Sequence, residues 1–475
     1  MNQPEANRPR SSLARTPHSR RTFLNSAALS AGAAAFTILA GRVQAGRRAL
    51  SPNDKLNLAG IGIGGMGGSN LSRCEAENIV ALCDVDPDHA AKTFAKYPQA
   101  RRYKDFREML DREKDLDAAI VATPDHTHAV IAMAAIRRGL HVYVQKPLSH
   151  SVWEARALTE AARKHRVMTQ MGNQGHSGEG IRQVCEWIWA GVIGPVREVH
   201  AWTNRPVWPQ GIEVGRPPEA PAVPSSLDWD LWIGPAPMRP YHPTYHPGTW
   251  RAWWDFGTGS LGDLGCHILD AAFWALRLKY PVSVSGCVST YWHGLWQKTE
   301  PKNEMFPRST IVRYKFPARE DMPEVKLTWW DGGMMPPRPD ALEPGRRMGD
   351  SDGGVLFLGD RGALVCGCYG RSPRLVPDSR MKDFQPPPKT LDRIPQGDAG
   401  HEQDWIRACK DGPPASSNFD YSGPLSECVL MGNLAVRFPD RELLWDGEKM
   451  EVTNDTEANA FVRRNYREGW SLDGV

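Results

Sequence analysis

The sequence predicts an α/β architecture: a doubly wound parallel sheet, followed by an α+β domain with a large, mostly antiparallel sheet. Three observations carry the prediction. Between residues 55 and 172, short apolar runs alternate with stretches of helical periodicity, as a parallel sheet covered on both faces requires. The first apolar run feeds a glycine-rich turn that opens a helix. Past residue 172 the alternation gives way to period-two runs set among long proline-rich segments. Composition permits this plan. The chain has 475 residues, 41% hydrophobic and 24% charged, which excludes wholesale disorder and leaves room for two or three domains.

Residues 1–45 read as an export signal rather than as fold. They hold six arginines against one acid, a net +5, so the remainder carries −2 of the chain's +3. No global basic field is left to attract a phosphate backbone, and nucleic-acid binding is not expected. Ser19-Arg20-Arg21-Thr22-Phe23-Leu24 opens an Ala-rich apolar run that ends at Leu39, and Val43-Gln44-Ala45 follows with small side chains. A basic region, a short apolar stretch and a small-residue cleavage site make a secretory signal, and adjacent arginines make it the twin-arginine kind. The run is about 17 residues and rich in Ala, Gly, Ser and Thr, marginal for a bilayer, so no stable membrane anchor is expected. The expected location is the periplasm or beyond, reached through the twin-arginine export machinery, which carries folded proteins with cofactors already bound.

The elements follow in order. Leu56–Ile63 is a nearly continuous apolar strand. After the glycine turn and a short helix comes strand Ile79–Asp84, then Pro87 at the first position of a helix. Ala118–Thr123 is another buried strand, with a helix from His126 to Arg138 stopped by Gly139. His141–Val144 is a strand. Ser151-Val-Trp-Glu154 is a capping box opening a helix to about His165, and Val167–Met171 is again a strand. Residues 205–247 then hold eleven prolines, a long ordered excursion rather than a helix. Pro281–Tyr291, Ser309–Phe316 and Glu324–Trp330 alternate like antiparallel strands, whereas His401–Lys410 and Leu425–Arg437 read as helices. The domains expected are therefore the signal at 1–45, a nucleotide-binding domain at 50–172, and a substrate and oligomerisation domain at 173–475. Nine cysteines, an odd count, show no paired metal-ligand spacing, and no metal site is expected; Cys366 and Cys368 read as same-face positions of one strand.

Gly62-Ile63-Gly64-Gly65-Met66-Gly67 fits G-x-G-x-x-G in the context that gives the pattern meaning: after a buried strand, opening a helix, with an acid at the end of the next strand. Such a turn cradles a dinucleotide pyrophosphate at a helix start, in the Rossmann manner. Asp84, 22 residues beyond Gly62, would accept hydrogen bonds from ribose hydroxyls and repel a 2′-phosphate, and neither Val85 nor Asp86 supplies a cation for one. NAD is therefore favoured over NADP.

Gln145-Lys146-Pro147 ends the fifth strand of this domain, where open α/β sheets bind ligands. Lys146 would reach toward a nicotinamide and take or return a hydroxyl proton; a solvated strand-end lysine fits its position equally. Asp263 and His267, in Gly-Asp263-Leu-Gly-Cys-His267, are four apart and share one helix face. They suit sugar hydroxyls and proton transfer, although a helix cap for Asp263 and a core position for His267 fit the sequence as well. Fourteen of the 18 tryptophans fall between Trp187 and Trp330. Of these, Trp254, three residues after Arg251, offers a flat face for a sugar, and Arg251 a fork for a carboxylate or hydroxyls.

The glycine fingerprint, Ala122-Thr123-Pro124-Asp125-His126-Thr127-His128, Gln145-Lys146-Pro147 and Gly-Asp263-x-Gly-x-His267 occur in an order that resembles the glucose–fructose oxidoreductase / inositol dehydrogenase family, Gfo/Idh/MocA. The resemblance implies a lysine–aspartate–histidine catalytic set, here Lys146, Asp263 and His267, with Thr123, Pro124 and His128 along the cofactor and Gln145 where the family usually has Glu. It further implies an NAD(P)-dependent oxidoreductase acting on CH–OH groups of a sugar, polyol or glycoside, with a tightly held cofactor, and a homo-oligomer packed through the exposed face of its second sheet. Some relatives use the same half-reaction to cleave a glycosidic bond, which is the alternative activity. A non-catalytic sugar-binding protein is the remaining reading.

Overall fold

The computed structural model describes residues 51, 53–211, 215–298 and 304–472, all within one compact unit that begins at residue 50. The expected signal at 1–45 lies outside the described residues. Six short strands build the first sheet: β1 (Asn57–Ile61), β2 (Asn78–Cys83), β3 (Arg101–Tyr103), β4 (Ala118–Val121), β5 (His141–Val144) and β6 (Thr169–Met171). They lie in the order β3-β2-β1-β4-β5-β6, every pair parallel. All four side chains of β4 and of β5 are buried, as expected for strands covered on both faces. The order reverses between β1 and β4, and that switch point opens the crevice where such sheets take ligands.

The second sheet has nine strands: β7 (Val196–Thr203), β8 (Ser283–Val288), β11 (Thr310–Phe316), β12 (Val325–Trp330), β13 (Gly353–Gly359), β14 (Gly362–Gly367), β15 (Arg374–Val376), β16 (Glu442–Asp446) and β17 (Glu451–Val452), with β9 (Trp292–Gly294) and β10 (Gln297–Lys298) forming a separate hairpin. Seven of its eight neighbouring pairs are antiparallel; β7 and β12 run parallel. Alternate residues of β11 and β12 are buried, so one face packs on helices. That covering layer includes the helices Gly259–Ala275 and Phe419–Arg437.

Several expectations need correction. Pro87 stands four residues before the helix Ala91–Lys96; the Asp86 carboxylate organises the intervening turn by accepting from the amides of Asp88 and His89. Cys366 lies in β14, but Cys368 falls in the tight turn after it, so the two do not share a strand. The last long helix, expected from Leu425, starts at Phe419, capped by Asn418, and runs through Pro424. The expected boundary at residue 172 falls directly after β6. The helix His401–Cys409 returns to the first sheet and packs Trp405 against Leu56 and Tyr143. Among the described residues no disulfide joins the nine cysteines, and no helix is long and apolar enough to cross a membrane.

Candidate active site

A cavity of about 450 Å³ opens at the switch point, walled on one side by the ends of β1, β4 and β5 and on the other by the proline-rich excursion. The excursion is held down by His126. One ring nitrogen lies 2.9 Å from the Trp232 carbonyl oxygen and the other 3.2 Å from that of Phe256. Burial, reinforced by the Arg464 charge, pushes this imidazole down to about 3, so it stays neutral in its apolar seat. Stacked and edge-on contacts among Trp229, Trp232, Tyr245, Trp253 and Phe256 make the excursion a small core of its own. Five of the fourteen tryptophans between Trp187 and Trp330, namely Trp208, Trp229, Trp232, Trp250 and Trp253, pack in or against this core.

The glycine loop has the shape a dinucleotide needs. Gly62 takes φ +76°, and a Cβ there would come within 2.7 Å of the Thr123 backbone nitrogen. A Cβ on Gly67 would overlap the Gly62 carbonyl oxygen, so only glycine lets the helix Met66–Arg73 begin this close to β1. A Cβ on Gly65 would meet nothing and would stand in the open cavity. Met66 is half exposed beside it. Ile63 turns its side chain into the core and takes part through its amide alone. That amide and the Gly64 amide donate to Asp84 Oδ2 at 2.8 and 3.1 Å. Burial raises the Asp84 carboxyl above its usual range, and these amides with that of Asp86 oppose the shift. Asp84 thus both shapes the loop and stands at the cavity wall.

At the other end, Thr123 and Pro124 leave β4 and Gln145-Lys146-Pro147 leave β5, all along the cavity. His128 joins the two exits, its ring nitrogens 2.7 Å from the Thr123 and 2.8 Å from the Pro147 carbonyl oxygens. Gln145 donates to Asn70 Oδ1 at 2.9 Å, and Asn70 donates to Glu402 Oε1 at 2.6 Å. The acid behind this strand end therefore comes from the helix His401–Cys409, far away in sequence.

Lys146 Nζ donates to Asp263 Oδ1 at 2.8 Å and to the Asp263 carbonyl oxygen at 2.6 Å. The helix Gly259–Ala275 carries the aspartate, starting from a Gly259 with φ +62° that only glycine adopts cheaply. Its preceding Thr258 donates its hydroxyl to Asp125 Oδ2 at 2.5 Å and accepts at its carbonyl from Asn433 at 2.8 Å. Asp263 is the fifth residue of that helix, so it is no cap. Burial works to raise its carboxyl, but the charges of Lys146 and Arg251 and the Lys146 bond hold it below the usual range. One turn on, His267 sits behind Asp263 rather than on the cavity wall, its ring 4.7 Å from that of Tyr369. Burial first, then the Lys146 charge, pushes its imidazole well below the ordinary value, and its Nδ1 has no hydrogen-bond partner among the described residues. The group that meets the wall is therefore an ammonium–carboxylate pair backed by a neutral imidazole.

Arg251 lines the cavity, but Trp254 does not. Its ring stacks on Phe306 at 3.6 Å with the Arg437 guanidinium 4.7 Å away, and Trp250 takes the cavity position instead. Sequence reasoning missed His89, His246, Tyr369 and Trp470. His246 reaches Asp86 Oδ2 at 2.9 Å, and Trp470 comes to the wall from the far C-terminus. No local signal marked any of them, because each arrives by tertiary folding. Among the described residues no group of three or more His, Cys, Asp or Glu is placed to hold a metal.

Two segments of the chain are similar to a known family. Residues 56–173 match the family model described as oxidoreductase family, NAD-binding Rossmann fold, and residues 203–288 match that of the family's C-terminal alpha/beta domain. The chain is 29% identical over 146 residues to an inositol 2-dehydrogenase of Salmonella typhimurium, a match covering 30% of this chain and 43% of that protein. It is 31% identical over 207 residues to a glycosyl hydrolase family 109 protein of Saccharopolyspora erythraea, covering 38% and 44%. The chain thus spans less than half the length of these curated relatives. A levoglucosan dehydrogenase solved with NADH and levoglucosan superposes with a TM-score of 0.55 at 17% identity, over 82% of this chain and 99% of that one, which shows a shared fold. These two segments are thus similar to the two domains of the Gfo/Idh/MocA oxidoreductases, residues 56–173 to the NAD-binding Rossmann domain and residues 203–288 to the C-terminal alpha/beta domain.

Proposed function

We propose that this protein is an exported, NAD-dependent oxidoreductase that oxidises a CH–OH carbon of a sugar, polyol or glycoside. The observation that supports it most is the Lys146–Asp263 pair, which closes one end of the cavity whose other end is the glycine loop. A bound nicotinamide would supply the hydride acceptor. Lys146, as the free amine, takes the substrate hydroxyl's proton as the hydride leaves the carbon, Asp263 holds the ammonium so formed, and neutral His267 stands behind the carboxylate. Asp125 and Asn433 fix Thr258 and so the start of the helix bearing Asp263. The test is to purify the protein, reduce nothing and add nothing but a sugar panel, and follow the absorbance of reduced nicotinamide. Reduction by at least one sugar supports the reading; a protein that holds no nicotinamide nucleotide contradicts it. The 31% identity to glycosyl hydrolase family 109 proteins favours one second reading, in which transient oxidation beside a glycosidic bond leads to its cleavage. Release of aglycone without net change in the bound cofactor would select it.

Asp84 sets the choice of nucleotide. Asp84→Ser removes the ribose acceptor and the two loop bonds at Ile63 and Gly64 together. NAD affinity should fall by about tenfold or more, the worth of one charge-assisted hydrogen bond, and discrimination against NADP should relax. Titration of both nucleotides checks this; an unchanged NAD preference would move the ribose contact to another residue.

Export rests on Arg20-Arg21 and Val43-Gln44-Ala45. Arg20→Lys with Arg21→Lys should stop export although the charge is kept, because the receptor reads the arginine pair. Cell fractionation and N-terminal sequencing decide. A mature chain beginning near Gly46 is expected, and an uncleaved chain in the cytoplasm contradicts it.

A further inference from the structure

Two charged groups of the site have no part in the proton relay. Arg251 brings its Nε to 3.7 Å from Asp263 Oδ1, and Arg205 brings its Nε to 3.8 Å from Oδ2. Both approaches are beyond hydrogen-bond reach, and Oδ1 is already taken by Lys146. One carboxylate therefore faces three cations. Asp352 offsets part of this, accepting from Arg205 Nη1 at 3.3 Å, but it is 46% exposed. Asp125 lines the same cavity and feels the Arg251 and Lys146 charges; it accepts the Thr258 hydroxyl, and burial raises its carboxyl above the usual range.

The guanidinium of Arg251 is also held in place before any ligand arrives. It lies 4.2 Å from the Trp250 ring and 6.0 Å from that of Trp208, and its hydrogen bond among the described residues is from Nη1 to the Gly248 carbonyl at 3.1 Å. Arg205 spends Nη1 on Asn204 and Asp352. Neither Nη2 makes a hydrogen bond among the described residues. A stacked guanidinium with a free donor edge, on the cavity wall beside Lys146, is arranged for a planar anion.

We infer that the substrate is a sugar bearing a carboxylate, received by Arg251 and Arg205, with the hydroxyl to be oxidised presented to Lys146 and Asp263. The inference rests on the oxidoreductase reading of the same cavity and names its substrate class. A carboxylate fits better than a phosphate. The two donor edges are planar forks, and the acids Asp263 and Asp352 in the same cluster repel a dianion more than a monoanion.

Calorimetry on the purified protein with its own bound cofactor tests this. The ligands are the matched pairs glucose–glucuronate, galactose–galacturonate and mannose–mannuronate, with gluconate and glucose 6-phosphate. At least one sugar acid should bind tenfold or more tightly than its neutral partner, the preference shrinking as salt rises. R251Q and R205Q should each cut that preference to about threefold or less. Neutral sugars binding as well as the acids, no acid binding at all, glucose 6-phosphate binding more tightly than every carboxylate, or a preference untouched in both variants would each overturn the inference. The redox reading is read separately, from cofactor absorbance in the same samples. Tight acid binding without reduction contradicts that reading and leaves the substrate class standing, and reduction by neutral sugars with weak acid binding does the reverse.

Discussion

Lys146→Ala should slow single-turnover reduction of the bound cofactor by about 10²–10⁴-fold, the usual worth of a positioned proton-transfer group. The geometry makes the lysine hard to replace. It is held from two sides by the Asp263 carboxylate and carbonyl, at the exit of a strand buried on both faces. Lys146→Arg keeps the charge but cannot give up a proton near neutral pH, and its longer planar head does not fit between the same two oxygens. It should be nearly as slow as the alanine variant. Cofactor content and thermal stability of both variants should stay near those of the parent, because the side chain contributes little to either core. Near-parental rates in Lys146→Arg would remove the relay from Lys146 and pass it to Asp263 and His267, whose imidazole is already neutral.

Gly67→Val should abolish useful cofactor binding. Even the first carbon of a side chain would overlap the Gly62 carbonyl oxygen, so the helix start must move off the loop. Overpacking of this kind costs about 1–3 kcal/mol, or roughly 10–100-fold in affinity if the strain falls wholly on the nucleotide site. Here the misfit is against backbone rather than a flexible side chain, so the upper end is expected. Gly65→Ala is the control, since its Cβ meets no protein atom. It should fold with parental stability and lose affinity only through its intrusion into the cavity. Equal NAD affinity in Gly67→Val and the parent, by fluorescence titration, would show that this turn does not carry the pyrophosphate.

What could be read from the sequence was what is local. The apolar runs of β1, β4 and β5 announce a buried parallel sheet because each needs no partner to be recognised, only its own period and the turn that ends it. Gly62, Asp84, Lys146 and Asp263 were legible for the same reason: each sits at a fixed offset from a strand end or a helix start. His267 was legible as a helix neighbour of Asp263, but not as a residue one layer behind it. Trp254 was misplaced because a chain position three residues from Arg251 does not fix a direction; its ring packs on Phe306, away from the cavity. Arg205, Glu402 and Trp470 reach the site from segments whose local pattern carries no chemistry, and only the fold brings them there. Pro424 shows the opposite failure, a strong local stop overridden by the packing of a long helix against the helix Val152–His165.

The central claim is that a carbinol hydrogen of a sugar passes to a nicotinamide held over the glycine loop, with Lys146 taking the hydroxyl proton. The most direct measurement uses C-perdeuterated glucose and glucuronate with the purified protein and no added nucleotide, followed by mass analysis of the nucleotide released on denaturation. The account predicts one deuterium in the reduced nicotinamide ring from at least one sugar, and none when Lys146 is alanine on the single-turnover timescale. A nucleotide that is reduced without deuterium, or that stays oxidised with every sugar bound, would contradict it.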